Sequence, residues 1–449
     1  MLGKIKALLA SNDNRSVMLR RNILLSVVLK IIGLATSLLI VPVTLHYLQK
    51  EEYGIWMAIS SVLYWFSFFD IGLGNGMRNY LTKSISTGHL EMGRAYLSTT
   101  LWVLFLIAGA LGLVSFFGLN YIDLTKVFNT QAVSDEVLHG VLFTAIAFTL
   151  ANLVVRNVGF VFVALQKYAL NDFLLISGNI ISLIVIFVLS KTAEPSLFKV
   201  VLVFSATPVC IFLLAAIPLF RHYKGLRPSY RAVDRRLAGG IISKGMGFFV
   251  IQITSCLVIF GSSNLFISHY YGPAEVSVYN VAYKYLNLLA VGYAVVLAPM
   301  WNAYTDAYVK NDFDWIRHAY NKAFRIWLLT LAGGLLMLLL SGLFYHLWIG
   351  RSLKVPIEMS ISVFLYISFF NLNNCATYLI NGLNKIRVQI YTSVVVTAIY
   401  VVVMYFFGTR LEPQGIVLAM AACYAVMSLI HCYQCHLLIN RRARGVWNK

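Results

Sequence analysis

The chain has 449 residues, of which 59% are hydrophobic and only 12% charged, with a mean hydropathy of +0.77. An ordinary soluble domain is about 25% charged, so a soluble enzyme is excluded, together with disorder, a collagen-like repeat and a disulfide scaffold. The formal net charge of +19 would point to nucleic acid in a soluble protein, but in a chain this apolar the first question is where the bases lie.

A bilayer span needs about 20 apolar residues, and twelve runs qualify. Six fall in the first half, at residues 23–48, 54–80, 96–119, 137–165, 170–190 and 197–220. Six fall in the second, at 241–271, 276–304, 316–340, 355–383, 388–408 and 415–438. The longest connections, 120–136 and 222–239, are too short to hold a soluble domain. The N-terminus is basic (Lys4, Lys6, Arg15, Arg20, Arg21), but the run after it is too long for a signal-peptide core and reads as a retained first span. The fold class expected is an all-α polytopic membrane protein of twelve transmembrane helices.

Alternate segments, starting with the N-terminus, hold 26 of the 36 Lys and Arg residues, the six opposite connections hold 7, and 3 lie inside spans. By the positive-inside rule both termini are cytoplasmic. The basic excess is thus mainly an orientation signal and an attraction to anionic lipid, and nucleic acid is not expected as a partner. At a constant offset of 223, His46, Tyr47, Glu52, Asn79, Thr82 and Arg94 fall on His269, Tyr270, Glu275, Asn302, Thr305 and Arg317. Six spans separate the copies, so they share one orientation. That implies a parallel repeat about an axis along the membrane normal, with lobes at 1–225 and 226–449.

The residues that could bind a substrate are ionisable ones far from any span end: Lys30, Arg156 and Lys284. Each lies roughly 13–16 Å from its interface, deeper than a lysine easily snorkels. Facing lipid at mid-membrane each would cost about 2.5–3.5 kcal/mol. The one clear intramembrane acid, Asp70, cannot neutralise all three. A water-filled cavity with surplus positive charge, suited to an anionic substrate, is the natural inference, although pairing with carbonyls or waters would also account for each base. Arg78, at the cytoplasmic end of span two, joins the candidate set. Asp70 reads equally as a coupling-ion site and as a helix-end or salt-bridge residue. Gly72, Gly74 and Gly76 form a small-residue surface for close helix packing or a hinge. Pro42, Pro208, Pro218 and Pro299 mark kinks in spans one, six and eight, with Pro299 a further hinge or packing position.

Several motifs fail on context. Cys432-Tyr-Gln-Cys435-His436 spells a c-type haem attachment site but lies at a cytoplasmic span end, and as a zinc site it lacks a second ligand cluster. Asp312-Phe-Asp314 resembles a glycosyltransferase DxD, but no soluble domain exists to carry it, and an acidic helix start is the simpler reading. No nucleotide-binding G-x-x-x-x-G-K-[ST] occurs. Neither metal nor cofactor is called for.

Three stretches carry a family resemblance: Tyr47-Leu-Gln-Lys-Glu-Glu52-Tyr53-Gly54-Ile-Trp56, Asp70-Ile-Gly-Leu-Gly-Asn-Gly-Met-Arg-Asn79, and Pro299-Met-Trp301-Asn302-Ala303-Tyr304-Thr305-Asp306-Ala307. With the six-plus-six layout they resemble the polysaccharide-transporter family, the Wzx-type O-antigen flippases of the MOP superfamily. The resemblance implies two six-helix bundles forming a V around a cation-lined cavity. It also implies movement of undecaprenyl-diphosphate-linked oligosaccharide across the bacterial inner membrane by alternating access, with membrane lipid, a polysaccharide polymerase and chain-length proteins as partners. Family cavities use Arg and Lys for the diphosphate, which agrees by role with Lys30, Arg156 and Lys284. A multidrug/cation antiporter of the same superfamily would prefer acids in its cavity. A membrane polymerase or glycosyltransferase would show a large extracytoplasmic loop or a catalytic domain.

Overall fold

A computed structural model describes residues 14–66, 69, 73–239 and 262–448. Asp70, Gly72 and most of the seventh predicted span (241–261) lie outside the described residues. Among the described residues there is no β-strand, as a bilayer requires of a chain whose backbone groups must be satisfied within each segment. Sixteen α-helices are named here in chain order. The first eight are α1 (Asn14–Phe66), α2 (Leu73–Ser86), α3 (Leu90–Leu119), α4 (Leu124–Phe128), α5 (Asp135–Val155), α6 (Asn157–Ala164), α7 (Tyr168–Thr192) and α8 (Leu197–His222). The rest are α9 (Ser263–Tyr271), α10 (Pro273–Leu286), α11 (Leu288–Val309), α12 (Phe313–Leu339), α13 (Ser341–Ile349), α14 (Ile357–Gly382), α15 (Arg387–Phe407) and α16 (Glu412–Ile439).

Ten helical stretches among the described residues are long and apolar enough to cross a membrane. They correspond to eleven of the twelve predicted spans. Predicted spans one and two run together as Val28–Phe66, broken only by the kink at Gln49, where φ is 66° and ψ 175°. Exposed apolar side chains follow the same helices: Val114 is 71% exposed, Leu339 82% and Leu429 71%. In water such surfaces would drive association; against lipid tails they are at no disadvantage. The protein is a multi-pass membrane protein.

Helix ends follow local chemistry. Asp312 caps α12, its carboxylate accepting from the Trp315 N–H at 3.0 Å, while Asp314 stands in the first turn. The Asp312–Asp314 pair is therefore a helix start. Gln166, Asn311, Asn384 and Arg441 each adopt a positive φ just after a helix. In each case the next N–H reaches back five residues to a carbonyl, as in Asp312 to Ala307 at 2.9 Å and Lys385 to Ile380 at 3.0 Å.

The chain forms two compact units. The first comprises Met1–Leu48, Leu63–Leu124 and Val133–Phe249; the second comprises Gln49–Val62, Thr125–Ala132 and Val250–Lys449. In the first, α5 packs on α3 and α8, α7 packs on α8, and α2 fits between α3 and α6. In the second, α14 is the hub, packed against α11, α12 and above all α16. Segments 49–62 and 125–132 join the second unit through polar contacts. Thr130 Oγ1 donates to Glu51 Oε1 at 2.7 Å, Ser268 Oγ donates to the Phe128 carbonyl at 2.8 Å, and Lys50 Nζ lies 3.5 Å from Glu275 Oε1.

Candidate functional site

In the first unit, the fourth predicted span is interrupted at Arg156. The residue ends α5 and opens α6 while its backbone stays helical (φ −60°, ψ −17°). Its N–H is shared between Asn152 O and Val154 O, and Gly159 N–H closes the next turn on Arg156 O at 2.9 Å. The step from one helix to the next is thus made at Arg156. Beside it Asn157 is 1% exposed, and its Nδ2 donates to Leu153 O at 3.0 Å and Val154 O at 3.2 Å. The Oδ1 atoms of Asn152 and Asn157 are buried and have no hydrogen-bond partner among the described residues. Amide oxygens buried without a donor are costly, and they gather on the turn that carries Arg156.

The second unit has a counterpart. The eighth predicted span is interrupted at Asn287 (φ −64°, ψ −15°), whose N–H is shared between Tyr283 O and Tyr285 O. Lys284 occupies the last turn of α10, three residues before that interruption, and is half-buried. Its sequence neighbour Tyr283 belongs to an aromatic series: Tyr283 stacks on Tyr279 at 5.8 Å and on Tyr366 at 6.3 Å, and Tyr366 lies 5.6 Å from Tyr424. Tyr279, Tyr366 and Tyr424 are buried, so the series is packing within the unit, and of the four only Tyr283 is partly exposed.

Lys30 is exposed on α1, among Val28, Ile31 and Ile32, which are exposed as well. Arg78 is half-buried on α2, its carbonyl accepting from Thr82 Oγ1 at 2.8 Å. Because α2 packs on α6, Arg78 and Arg156 stand on neighbouring helices. Gly74 is buried where α2 crosses α6, and a Cβ built there would overlap the Phe160 ring and lie 3.0 Å from Asn157 Oδ1. Gly76 belongs to the same helix, and Pro299 is exposed on α11.

The motif segments are packing elements. In the second unit Gly54 lets the α1 backbone meet the start of α10, since a Cβ there would overlap the Pro273 carbonyl. Its neighbours Tyr53 and Ile55 are fully buried. Tyr304 is fully buried against Gly382, and Thr305 Oγ1 donates to the Gly382 carbonyl at 2.8 Å. Cys435 is buried with Sγ 3.4 Å from Ala376 O, and His431 is held between Asn373 Oδ1 at 2.7 Å and Thr392 Oγ1 at 2.9 Å. Among the described residues no His, Cys, Asp and Glu group is placed to hold a metal.

The sequence reading passes over one polar element in the second unit. Asn280 Nδ2 donates to Asn264 Oδ1 at 2.8 Å, and Asn264 Nδ2 donates to Ser61 Oγ at 2.6 Å. Two amides in otherwise apolar runs were the available signal, and only the tertiary structure reveals that they meet.

Residues 19–300 match the family model described as polysaccharide biosynthesis protein. A Salmonella typhi protein named for O-antigen transport is 24% identical over 379 residues, covering 80% of this chain and 82% of the relative. A second protein so named, from Salmonella typhimurium, is 22% identical over 412 residues, 88% and 91% of the two chains. Among solved structures, a multidrug resistance MATE family transporter of the MOP superfamily in an inward-facing conformation aligns with a TM-score of 0.76 at 15% identity. It covers 93% of this chain and 98% of its own. The lipid II flippase MurJ in an inward closed conformation aligns at 0.66 with 14% identity, covering 92% and 86%. The fold is that of the MOP superfamily.

Proposed function

The chain belongs to the polysaccharide biosynthesis protein family, and from that premise we propose that it is a flippase for undecaprenyl-diphosphate-linked oligosaccharide, the repeat unit of O-antigen or a similar surface polysaccharide. The observation that carries the reading is the position of the two deepest half-buried bases. Arg156 and Lys284 each stand at or one turn from a mid-span helix interruption with a shared backbone N–H. Each is a cation deep in an apolar run, where a bilayer offers no charge and a lipid-facing base would be costly, so an anion or water is its natural partner. A diphosphate is the anion that suits them, with Arg78 and Lys30 as further contacts. Arginine binds phosphate oxygens through a planar fork and lysine as a point charge. Asn152, half-buried beside Arg156, and Tyr283, half-buried beside Lys284, offer an amide and a phenol to the glycan.

Transport needs no covalent step. Alternating access carries the cargo from the cytoplasmic to the periplasmic face of the bacterial inner membrane. Both termini are cytoplasmic, and a polymerase and chain-length proteins receive the product. The names of the two Salmonella relatives support the cargo class. The test is translocation of a defined lipid-linked oligosaccharide by the purified protein in proteoliposomes, with an empty-vesicle control. Export of a cationic dye in place of the oligosaccharide would make it an antiporter and overturn the reading.

A further inference from the structure

The first unit contains a second basic site, remote in sequence from the two interruptions. A cavity of about 670 Å³ is lined by the bases Arg94, Arg221, Lys224 and Arg227 and the apolar Leu213, Ala216, Ile217 and Phe220. No carboxylate is among the lining residues. Arg94 stands in the second turn of α3 and Arg221 in the last turn of α8, so both lie at the ends of helices long enough to span. Lys224 and Arg227 belong to the turn that follows. That turn is fixed in place: Leu226 is buried against Gly93, the Ser229 N–H donates to Ser98 Oγ at 3.1 Å, and the Asp234 N–H donates to Thr99 Oγ1 at 3.0 Å. Arg94 Nε is buried with no hydrogen-bond partner among the described residues. Leu213 and Ile217, about half exposed, continue the cavity wall along α8 into the apolar surface.

Four bases at the ends of two long apolar helices and on the turn that follows, lining a cavity that opens onto an apolar helix face, suit an anionic lipid. We propose that this cavity binds a phospholipid whose headgroup carries two phosphates, of the cardiolipin class, with an acyl chain along Leu213 and Ile217. The pairing of two phosphates with four bases selects this class over lipids with a single phosphate. The site is separate from the transport reading and is read by binding alone.

The test is native mass spectrometry of the full chain, released from nanodiscs containing cardiolipin or phosphatidylglycerol. The wild type is expected to keep cardiolipin about tenfold more tightly than phosphatidylglycerol. The variant Arg94→Gln/Arg221→Gln/Lys224→Gln/Arg227→Gln is expected to lose that preference. A control that removes as much charge from the exposed Arg231, Arg236, Arg442 and Arg444 is expected to keep it. Should the fourfold variant not fold, Lys224→Gln/Arg227→Gln, confined to the exposed turn, is expected to weaken cardiolipin retention severalfold. Unchanged retention in the folded variants, equal retention of phosphatidylglycerol, or displacement of cardiolipin by a polyprenyl diphosphate at equal concentration would each overturn the proposal. The last outcome would assign the cavity to the transported lipid instead.

Discussion

Gln49 and Gly272 share one backbone conformation, φ 66° and ψ 175° at the first and φ 86° and ψ 162° at the second, 223 residues further along the chain. The correspondence extends. Gly88 and Asn311, again 223 apart, both have positive φ, and Asn129 with Gly350 and Gln166 with Asn384 follow at 221 and 218. Each half of the chain therefore reverses its backbone at matching places. That agrees with the offset of the polar pairs from Tyr47/Tyr270 to Arg94/Arg317, the last of which occupy the fifth position of α3 and of α12.

The conformation is one that glycine adopts freely and a residue with a Cβ adopts at a cost of roughly 1–3 kcal/mol. Gln49→Gly is thus expected to raise stability by about 1 kcal/mol, and Gly272→Ala to lower it by at least as much. Thermal unfolding of the detergent-purified protein measures both. A lower midpoint for Gln49→Gly would show that Gln49 is not strained.

Gly54 and Gly74 differ in what stands opposite them. At Gly54 it is the Pro273 carbonyl, at Gly74 the Phe160 ring. Each change to Ala is expected to cost about 1–3 kcal/mol. Phe160→Ala should recover much of the loss at Gly74, because it opens the space the new methyl needs. No side-chain deletion should recover Gly54→Ala. A double-mutant cycle on folded yield and unfolding midpoint separates the two cases.

Asn280 and Asn264 satisfy each other at 2.8 Å. Removing Asn280 takes away the donor to Asn264 Oδ1, and removing Asn264 leaves Asn280 Nδ2 only the Val276 carbonyl, so Asn264→Ala and Asn280→Ala should each cost about 1–3 kcal/mol. The double variant should cost clearly less than the sum. Strict additivity in unfolding experiments would mean the two amides do not cooperate.

Arg156→Gln and Lys284→Gln should each reduce oligosaccharide translocation at least about tenfold, the effect of about 1.4 kcal/mol, with normal amounts of protein in the membrane. Arg156→Lys should keep part of the activity, since it retains the charge and loses the fork. Surface polysaccharide in a strain lacking its own flippase is the readout. Full surface polysaccharide from the double neutral variant would remove these bases from the transport site.

Sequence alone determined the membrane class and the positions of eleven of the twelve spans, because each depends on local quantities. Twenty apolar residues cross a bilayer whatever surrounds them, and a cap or a left-handed turn needs only its own neighbours. It also singled out Arg156 and Lys284, since a base deep in an apolar run is visible without coordinates. What only the tertiary structure decided depends on residues distant in the chain. Arg156 stands at the junction of α5 and α6, and Lys284 three residues before that of α10 and α11. Residues 49–62 and 125–132 pack with the second unit. Gly54 meets Pro273, Asn264 meets Asn280, and the bases of α3, α8 and the following turn line one cavity. Hydropathy ranks residues one at a time, whereas packing and charge clustering are properties of pairs, and a pair becomes legible only once the fold brings its members together.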